Sequence, residues 1–337
     1  MSRTIKPILY GKKKTKNKNV NLLIVLFSVL ILLTIIIFLT VGVQRKIPEL
    51  KDISEDTSSH AAISSIETEE SPKLNGVHTE IYYNGEYTGE FVDGVKQGHG
   101  VFKYSNGDIY QGNFENDVRS GNGKITYADN SILDGSFSND KANGFCTMSF
   151  KNDDKYEGNY KNGLMDGQGA YTYADGTVYI GEMSQGRIEG IGKTVYRNND
   201  IYEGSMVNGV CQGDGKITYS NGDIYSGSFV DNQLNGYGVY TYVNGSVYRG
   251  QFVNGKQTDA SCYFKLFDKA TYGDDFIIYE GSIVNSIFSG NGKITYTNGD
   301  WVEGGFINGK LEGKATYYQK IYDRTREVTY SNGKIVN

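Results

Sequence analysis

The chain has 337 residues, a formal net charge of −5, 44 glycines and only 3 prolines. Glycine at roughly twice its average share, with so little proline, indicates many tight turns and excludes a proline-rich disordered chain. Tyrosine occurs 28 times against a single tryptophan, which favours strands because its ring suits a half-buried pleated surface.

The N-terminal region is predicted to anchor the chain in a membrane. Residues 22–43 carry no charge, and at about 1.5 Å per residue a helix of this length crosses a hydrocarbon core roughly 30 Å thick. Basic residues fill the segment 1–21, whereas acidic residues join them after the span, which predicts a basic cytoplasmic tail and an extracytoplasmic remainder. The predicted location is therefore the cell membrane, single-pass. The alternative, a cleaved signal peptide, usually has an apolar core of only about 7 to 15 residues.

Residues 44–80 are predicted to form a flexible polar stalk. They include SEDTSSHAAISSIETEESPK, which is rich in Ser, Thr and Glu and lacks aromatic residues. Such a segment cannot bury enough apolar surface to fold by itself.

From residue 81 to residue 337 the chain repeats the phrase Tyr-x-Gly-x-aromatic. Successive copies begin 23 residues apart, apart from one longer step before Tyr279. A fixed period in this range predicts units that pack mainly on their neighbours. The ten copies begin at Tyr87, Tyr110, Leu133, Tyr156, Tyr179, Tyr202, Tyr225, Tyr248, Tyr279 and Val302.

Each copy is predicted to be a β-hairpin. In the copy that begins at Tyr202, glycine or apolar residues alternate with polar residues along two segments, which is the period of half-buried strands. Asn208-Gly209 separates the two segments and Asn221-Gly222 follows them, so we expect a type I′ turn at both places. The inward glycines leave gaps that tyrosine and phenylalanine rings can cover. The predicted fold class is all-β, an elongated antiparallel β-hairpin repeat array of roughly 100 Å.

The pattern resembles the MORN (membrane occupation and recognition nexus) repeat family, and the copy that begins at Tyr156 fits it without a gap. Leu133 and Val302 depart from it in place of the leading Tyr, and Cys146 in place of a Gly. The resemblance implies a role as scaffold or dimerisation surface. It also raises phospholipid contact, proposed for relatives such as junctophilins, but residues 81–337 contain 23 basic and 31 acidic residues, a net charge of −8, which disfavours phosphate-bearing lipids and nucleic acid.

Two inserts interrupt the rhythm, at 259–278 and at 315–330. Inserts in repeat proteins often lie on a binding face, so Tyr263, Phe264 and Phe267 are the candidate partner-contact residues. The alternative is a longer hairpin that packs on the same core, and the second insert would then cap the array.

No catalytic, cofactor or metal site is predicted. His60 and His78 lie in or near the predicted stalk and His99 at an outward strand position, so no Ser-His-Asp or Cys-His arrangement can be proposed. Acids beside the turns, at Asp108 and at equivalent positions, number about one per turn, fewer than a calcium ion requires. Cysteines fall in three different copies and are expected to stay unpaired.

The sequence thus predicts a non-enzymatic, membrane-anchored protein whose repeats contact a protein partner or another copy of the chain. Carbohydrate or cell-wall binding is the alternative, in which exposed tyrosine rings would stack on sugars. Phospholipid binding is less favoured. Accessibility of the repeat tyrosines separates the first two hypotheses, because a buried ring cannot stack on a glycan.

Overall fold

The computed structural model describes residues 73–267 and 275–336, which form strands and one short 3-10 helix, Lys320–Tyr322. Within these ranges no helix is long and apolar enough to cross a membrane, and the predicted tail at 1–21 and span at 22–43 lie outside them. The strands, numbered β1 to β24 in chain order, are Gly76–Tyr82, Gly85–Val92, Val95–Tyr104, Ile109–Glu115, Val118–Thr126, Ile132–Ser138, Lys141–Ser149, Lys155–Lys161, Leu164–Thr172, Val178–Ser184, Arg187–Val195, Ile201–Val207, Val210–Thr218, Ile224–Val230, Gln233–Thr241, Val247–Val253, Lys256–Gln257, Asp259–Phe267, Phe276–Val284, Ile287–Tyr296, Trp301–Ile307, Lys310–Gln319, Arg324–Ser331 and Lys334–Ile335.

The strands form one antiparallel meander in which each strand pairs with the next along the chain. The exception is β16, which pairs with both β17 and β18. The predicted all-β hairpin array is confirmed, with a first and a second strand in every repeat. The sheet begins with β1 at Gly76, inside the segment 44–80 that was assigned to the stalk. The boundary was based on composition, and the polar residues His78 and Glu80 of β1 match the composition of the stalk.

Two kinds of turn alternate along the array. Asn208 and Gly209 both have positive φ, 49° and 75°, which confirms the predicted type I′ turn inside the hairpin. Between hairpins the type I′ prediction is wrong. A type I′ turn needs a positive φ at two consecutive residues, but Gly222 has a positive φ and Asn221 does not. The N–H of Gly222 donates to the carbonyl of Tyr219 at 2.9 Å, so this connection is a type I turn followed by a left-handed glycine.

Leading tyrosines form the core of the array. Each hydroxyl donates to the backbone carbonyl three residues later, as from Tyr202 to Ser205 at 2.7 Å. Rings of successive repeats also meet: Tyr225 makes edge contacts with Phe229 and with Phe252 of the next repeat, at centroid distances of 5.3 and 5.0 Å. The core is therefore continuous through the array. The tyrosines with 0% exposure are Tyr87, Tyr110, Tyr156, Tyr179, Tyr202, Tyr225, Tyr248 and Tyr279.

A glycine on the second strand lies under seven of the eight leading tyrosine rings, all except Tyr248. At Gly215 an added Cβ would lie 2.6 Å from the ring of Tyr202, closer than two non-bonded carbon atoms can approach. Where the leading tyrosine is absent, the residue at the glycine position differs as well. Leu133 occurs with Cys146, and Val302 occurs with Ala315.

Candidate functional site

The three predicted contact residues do not form an exposed patch. Phe264 is only 9% exposed and is a core residue, because β18 pairs with β16 so that Phe264 lies opposite Tyr248. Its ring lies 5.7 Å from that of Tyr248 and 6.2 Å from that of Phe288, centroid to centroid. Tyr263 and Phe267 lie half-buried on the opposite face of the strand. Phe264 therefore has almost no surface to offer to a partner.

The first insert is a longer hairpin of the same sheet. β18 and β19 pair up to Phe267 and Phe276, and residues 268–274 between them lie outside the described part. Asp259 shapes its start, since its carboxylate accepts the N–H groups of Gln251 at 2.8 Å and Ser261 at 2.9 Å. At the second insert, β22 and β23 likewise extend the sheet on either side of the 3-10 helix. In the described residues, both inserts lengthen hairpins of the same sheet, which was the alternative to a separate binding site.

Five exposed aliphatic residues form a line that we call the aliphatic stripe. They lie on the outer face, opposite the tyrosine core, at the same position of five consecutive repeats, directly before the type I′ turn. Sequence reasoning missed the stripe, although its signal is readable as a β-branched residue at one phase of successive copies. Its members are Val207, Val230, Val253, Val284 and Ile307, which are between 41% and 60% exposed.

Acidic residues after the second turn join neighbouring repeats. The carboxylate of Asp223 accepts the N–H of Val243, in the next repeat, at 2.8 Å and the hydroxyl of Tyr240 at 3.0 Å. Asp108 and Asp300 accept a backbone N–H of the following turn in the same way, each at 2.9 Å. These carboxylates thus satisfy turn amides, and the described residues contain no group of side chains that could hold a metal ion.

Burial governs the titratable side chains of the core. It raises the pKa of Tyr110 and Tyr225 to about 12. It raises the pKa of the thiols of Cys146 and Cys211 above the usual range, and that of Cys262 to about 12. All three cysteines are free and buried, so none of them is an accessible nucleophile.

The chain matches a protein-family model and, more weakly, solved structures. Similar solved structures include the TCP10 domain of Danio rerio CPAP, at 14% identity and a TM-score of 0.36 over 61% of this chain and 97% of that chain. They also include a catalytically inactive virginiamycin B lyase from Staphylococcus aureus with quinupristin, at 12% identity and a TM-score of 0.14 over 77% of this chain and 86% of that chain. At these scores neither protein's role bears on this chain. Comparison with curated proteins found no match. The family model described as MORN repeat matches residues 87–109, 110–132, 134–155, 156–178, 179–201, 202–224, 225–247, 248–258, 279–301 and 303–324.

Proposed function

Because this chain belongs to the MORN repeat family, we propose that it is a membrane-anchored interaction protein whose repeats present an extended β-surface to a protein partner. The family is typically non-enzymatic, and the proposed role requires no catalysis and no cofactor. Contact takes place along the outer face of the sheet.

The aliphatic stripe is the observation that carries this proposal. Single exposed valines are common on protein surfaces, but these five recur at one position of consecutive repeats, with polar residues such as Gln233 and Lys256 opposite them on the second strands. With two strands per repeat and about 4.8 Å between strands, stripe residues recur roughly every 10 Å. A partner with apolar side chains at a matching spacing would contact several repeats at once, as is usual for repeat proteins.

Membrane anchoring rests on the sequence. The uncharged run at 22–43 and the basic residues before it support a single span with a cytoplasmic N-terminus. In this arrangement the repeat array is extracytoplasmic, and its partner is a surface or secreted protein.

The two alternatives lose support. Glycan stacking needs exposed rings, and the eight leading tyrosines have 0% exposure, which leaves only scattered rings such as Tyr173 and Tyr237, 37% and 58% exposed. Phospholipid contact is opposed by the net charge of −8 over residues 81–337, from 23 basic and 31 acidic residues.

Partner contact is tested by cross-linking in intact cells followed by mass spectrometry. We expect Val230→Glu/Val253→Glu to lose the adducts of the wild-type array. The matched control is Ser138→Glu/Ser184→Glu, since both serines occupy the stripe position in repeats that precede the stripe, and this variant should keep the adducts. Unchanged thermal unfolding of both variants excludes misfolding. Equal adducts from the two variants would reject the stripe as the contact surface.

Topology is tested separately, by protease treatment of intact cells with a tag after Asn337 and a cytoplasmic protein as the leakage control. Loss of the tag without leakage is expected. A tag that survives until lysis, in an array shown to be cleavable, would contradict the extracytoplasmic placement.

A further inference from the structure

The first strand of the sheet is half of a repeat. β1 has the register of a second strand, because Gly76 lies opposite Phe91 just as Gly98 lies opposite Phe114. No described first strand precedes it, so the outer edge of β1 has no partner strand within the described residues.

At the other end of the sheet, β23 is the complementary half of a repeat. β23 has the register of a first strand, because Tyr330 lies opposite Gly313 just as Phe306 lies opposite Gly290. Its second strand, β24, pairs only with the last two residues of β23. Within the described part, most of the outer edge of β23 is therefore open.

A core position at this end is left uncovered. Ile335 pairs with Tyr330 as Leu311 pairs with Phe306 in the repeat before. Leu311 is 6% exposed, whereas Ile335 is 52% exposed. Just before β1 the same repeat position is held by Leu74, whose carbonyl accepts the N–H of Gly94 at 2.8 Å as that of Leu311 accepts the N–H of Gly333 at 2.9 Å. A β1 strand that pairs with β23 in the repeat register therefore takes the place of the two-residue β24.

We propose that the two ends join between copies, with β1 of one copy pairing antiparallel with β23 of the next. This deepens the proposed scaffold role, on which it rests, by naming a second copy of the chain as one partner. The strand directions fit: successive strands alternate, and β17 and β18 run the same way because both pair antiparallel with β16. In a continued sheet β1 and β23 are therefore antiparallel, like every other pair.

The repeat register specifies which side chains meet. Within a repeat, Tyr202 on the first strand lies opposite Ile217 on the second. Arg326 occupies the first of these positions and Glu80 the second, so the joint places a guanidinium directly opposite a carboxylate. Both residues are exposed within the single chain. By the same register Arg324 lies opposite Tyr82.

Charge complementarity extends over both ends. Residues 76–92 contain three acidic and no basic residues, a formal charge of −3, whereas residues 310–335 contain six basic and three acidic residues, a formal charge of +3. Two like ends would repel each other, and two unlike ends attract. Because the contact is between different surfaces, each copy keeps one free end of each kind, so joining continues from copy to copy until a ring closes or an open chain forms.

Disulfide trapping tests the joint in the full-length chain in dodecyl maltoside micelles. Directly opposed residues of an antiparallel pair have Cα atoms about 4.5–5.5 Å apart, within the range that a disulfide bridges. Glu80→Cys/Arg326→Cys should form a ladder of dimers, trimers and longer species under mild oxidation, and reduction should collapse it. The native thiols are buried and do not interfere.

The control is Glu80→Cys/Arg187→Cys, in which the second cysteine lies at an exposed position of β11 far from either end of the strand order. A ladder no stronger than that of this control overturns the proposal. Charge reversal gives an independent reading by sedimentation: Glu80→Arg and Arg326→Glu should each weaken association by about tenfold, and the double reversal should restore it. Failure of that rescue rejects the register.

The joint and the aliphatic stripe fail separately. A missing ladder with the stripe adducts intact rejects end-to-end joining alone. If the ladder forms but the stripe variant and its serine control give equal cross-linked adducts, the stripe alone is rejected.

Discussion

The regular repeats and the divergent ones solve the same packing problem with different side chains. In the copy that begins at Tyr202, a large ring lies over Gly215, where a Cβ has no room. In the copies that begin at Leu133 and Val302 a smaller leading residue accompanies a larger second-strand residue, Cys146 or Ala315, and both of these are buried. The comparison teaches that leading residue and glycine form one unit of roughly constant volume.

A third arrangement, at the insert, keeps the ring without the glycine. Tyr248 has 0% exposure while Cys262 is also buried in the facing strand. The strand shifts register between Asp259 and Cys262, and this local change makes room for the thiol. Tyrosine with cysteine is larger than tyrosine with glycine, so this pair is accommodated by the backbone shift and not by a smaller side chain.

The largest effect is expected at high pH, where ionisation of the buried leading tyrosines should destabilise the repeats that contain them. The pKa of Tyr110 and Tyr225 is raised to about 12, against about 10 in an unfolded chain. The folded state therefore favours the neutral ring, so this stability is complete below about pH 10 and is lost as the pH rises through about 12. We expect cooperative unfolding in this window, followed by tyrosinate absorbance and circular dichroism together. Ionisation of these rings near pH 10 in an intact sheet would contradict it.

Filling the space under one ring should be the most damaging single substitution. Gly215→Ala should lower the free energy of unfolding by about 3 kcal/mol, the upper end of the usual cost of overpacking. In the copy that already lacks the ring, Ala315→Gly should cost only about 1 kcal/mol, from backbone entropy. Chemical denaturation of the detergent-solubilised chain measures both. Equal costs would show that ring and glycine are independent.

Exchanging one unit for another sharpens the comparison. Tyr202→Leu alone should cost about 3 kcal/mol through the cavity it leaves, and Gly215→Cys alone should overpack the ring. The double variant reproduces the Leu133 and Cys146 pair, so the two costs should not add, with a favourable coupling of about 2 kcal/mol. A double-mutant cycle measures this coupling. Simple additivity would refute a shared unit.

The smallest effect is expected at the hairpin turn. Ser286 has a φ of 66° where Gly209 has 75° in its own repeat, and the left-handed conformation costs a non-glycine residue roughly 1–2 kcal/mol. Ser286→Gly should therefore stabilise the chain by about 1 kcal/mol, and Gly209→Ser should destabilise it by a similar amount. Thermal unfolding of the two variants checks the sign. A stabilising Gly209→Ser would count against backbone strain as the cause.

Much of the fold was predictable because its determinants are local. Period-two alternation places the strands, and Asn-Gly pairs such as Asn208-Gly209 fix the type I′ turns. The turns between hairpins were mispredicted because Asn221-Gly222 has the same letters in a different backbone geometry. There, a side chain from a neighbouring repeat contributes, as Asp223 does for Val243, and such contacts are not visible in one turn.

The candidate site was harder to predict because it depends on register. Phe264 was expected at the surface since its surroundings break the repeat, yet the bulge at Asp259 restores the inward phase. The aliphatic stripe and the pairing of Leu133 with Cys146 could have been found by comparing the ten copies position by position. What no single copy contains is the match between Glu80 and Arg326, because it requires the strand order of the whole sheet.

Buried thiols have a consequence for where the array can work. Only the thiolate attacks a disulfide or reacts with an oxidant, and the raised pKa of Cys146, Cys211 and Cys262 leaves almost none of it at neutral pH. The array neither gains a covalent bond in an oxidising compartment nor loses one in a reducing compartment. Because its three cysteines are free and buried, the stability of the array does not depend on a disulfide on either side of a membrane.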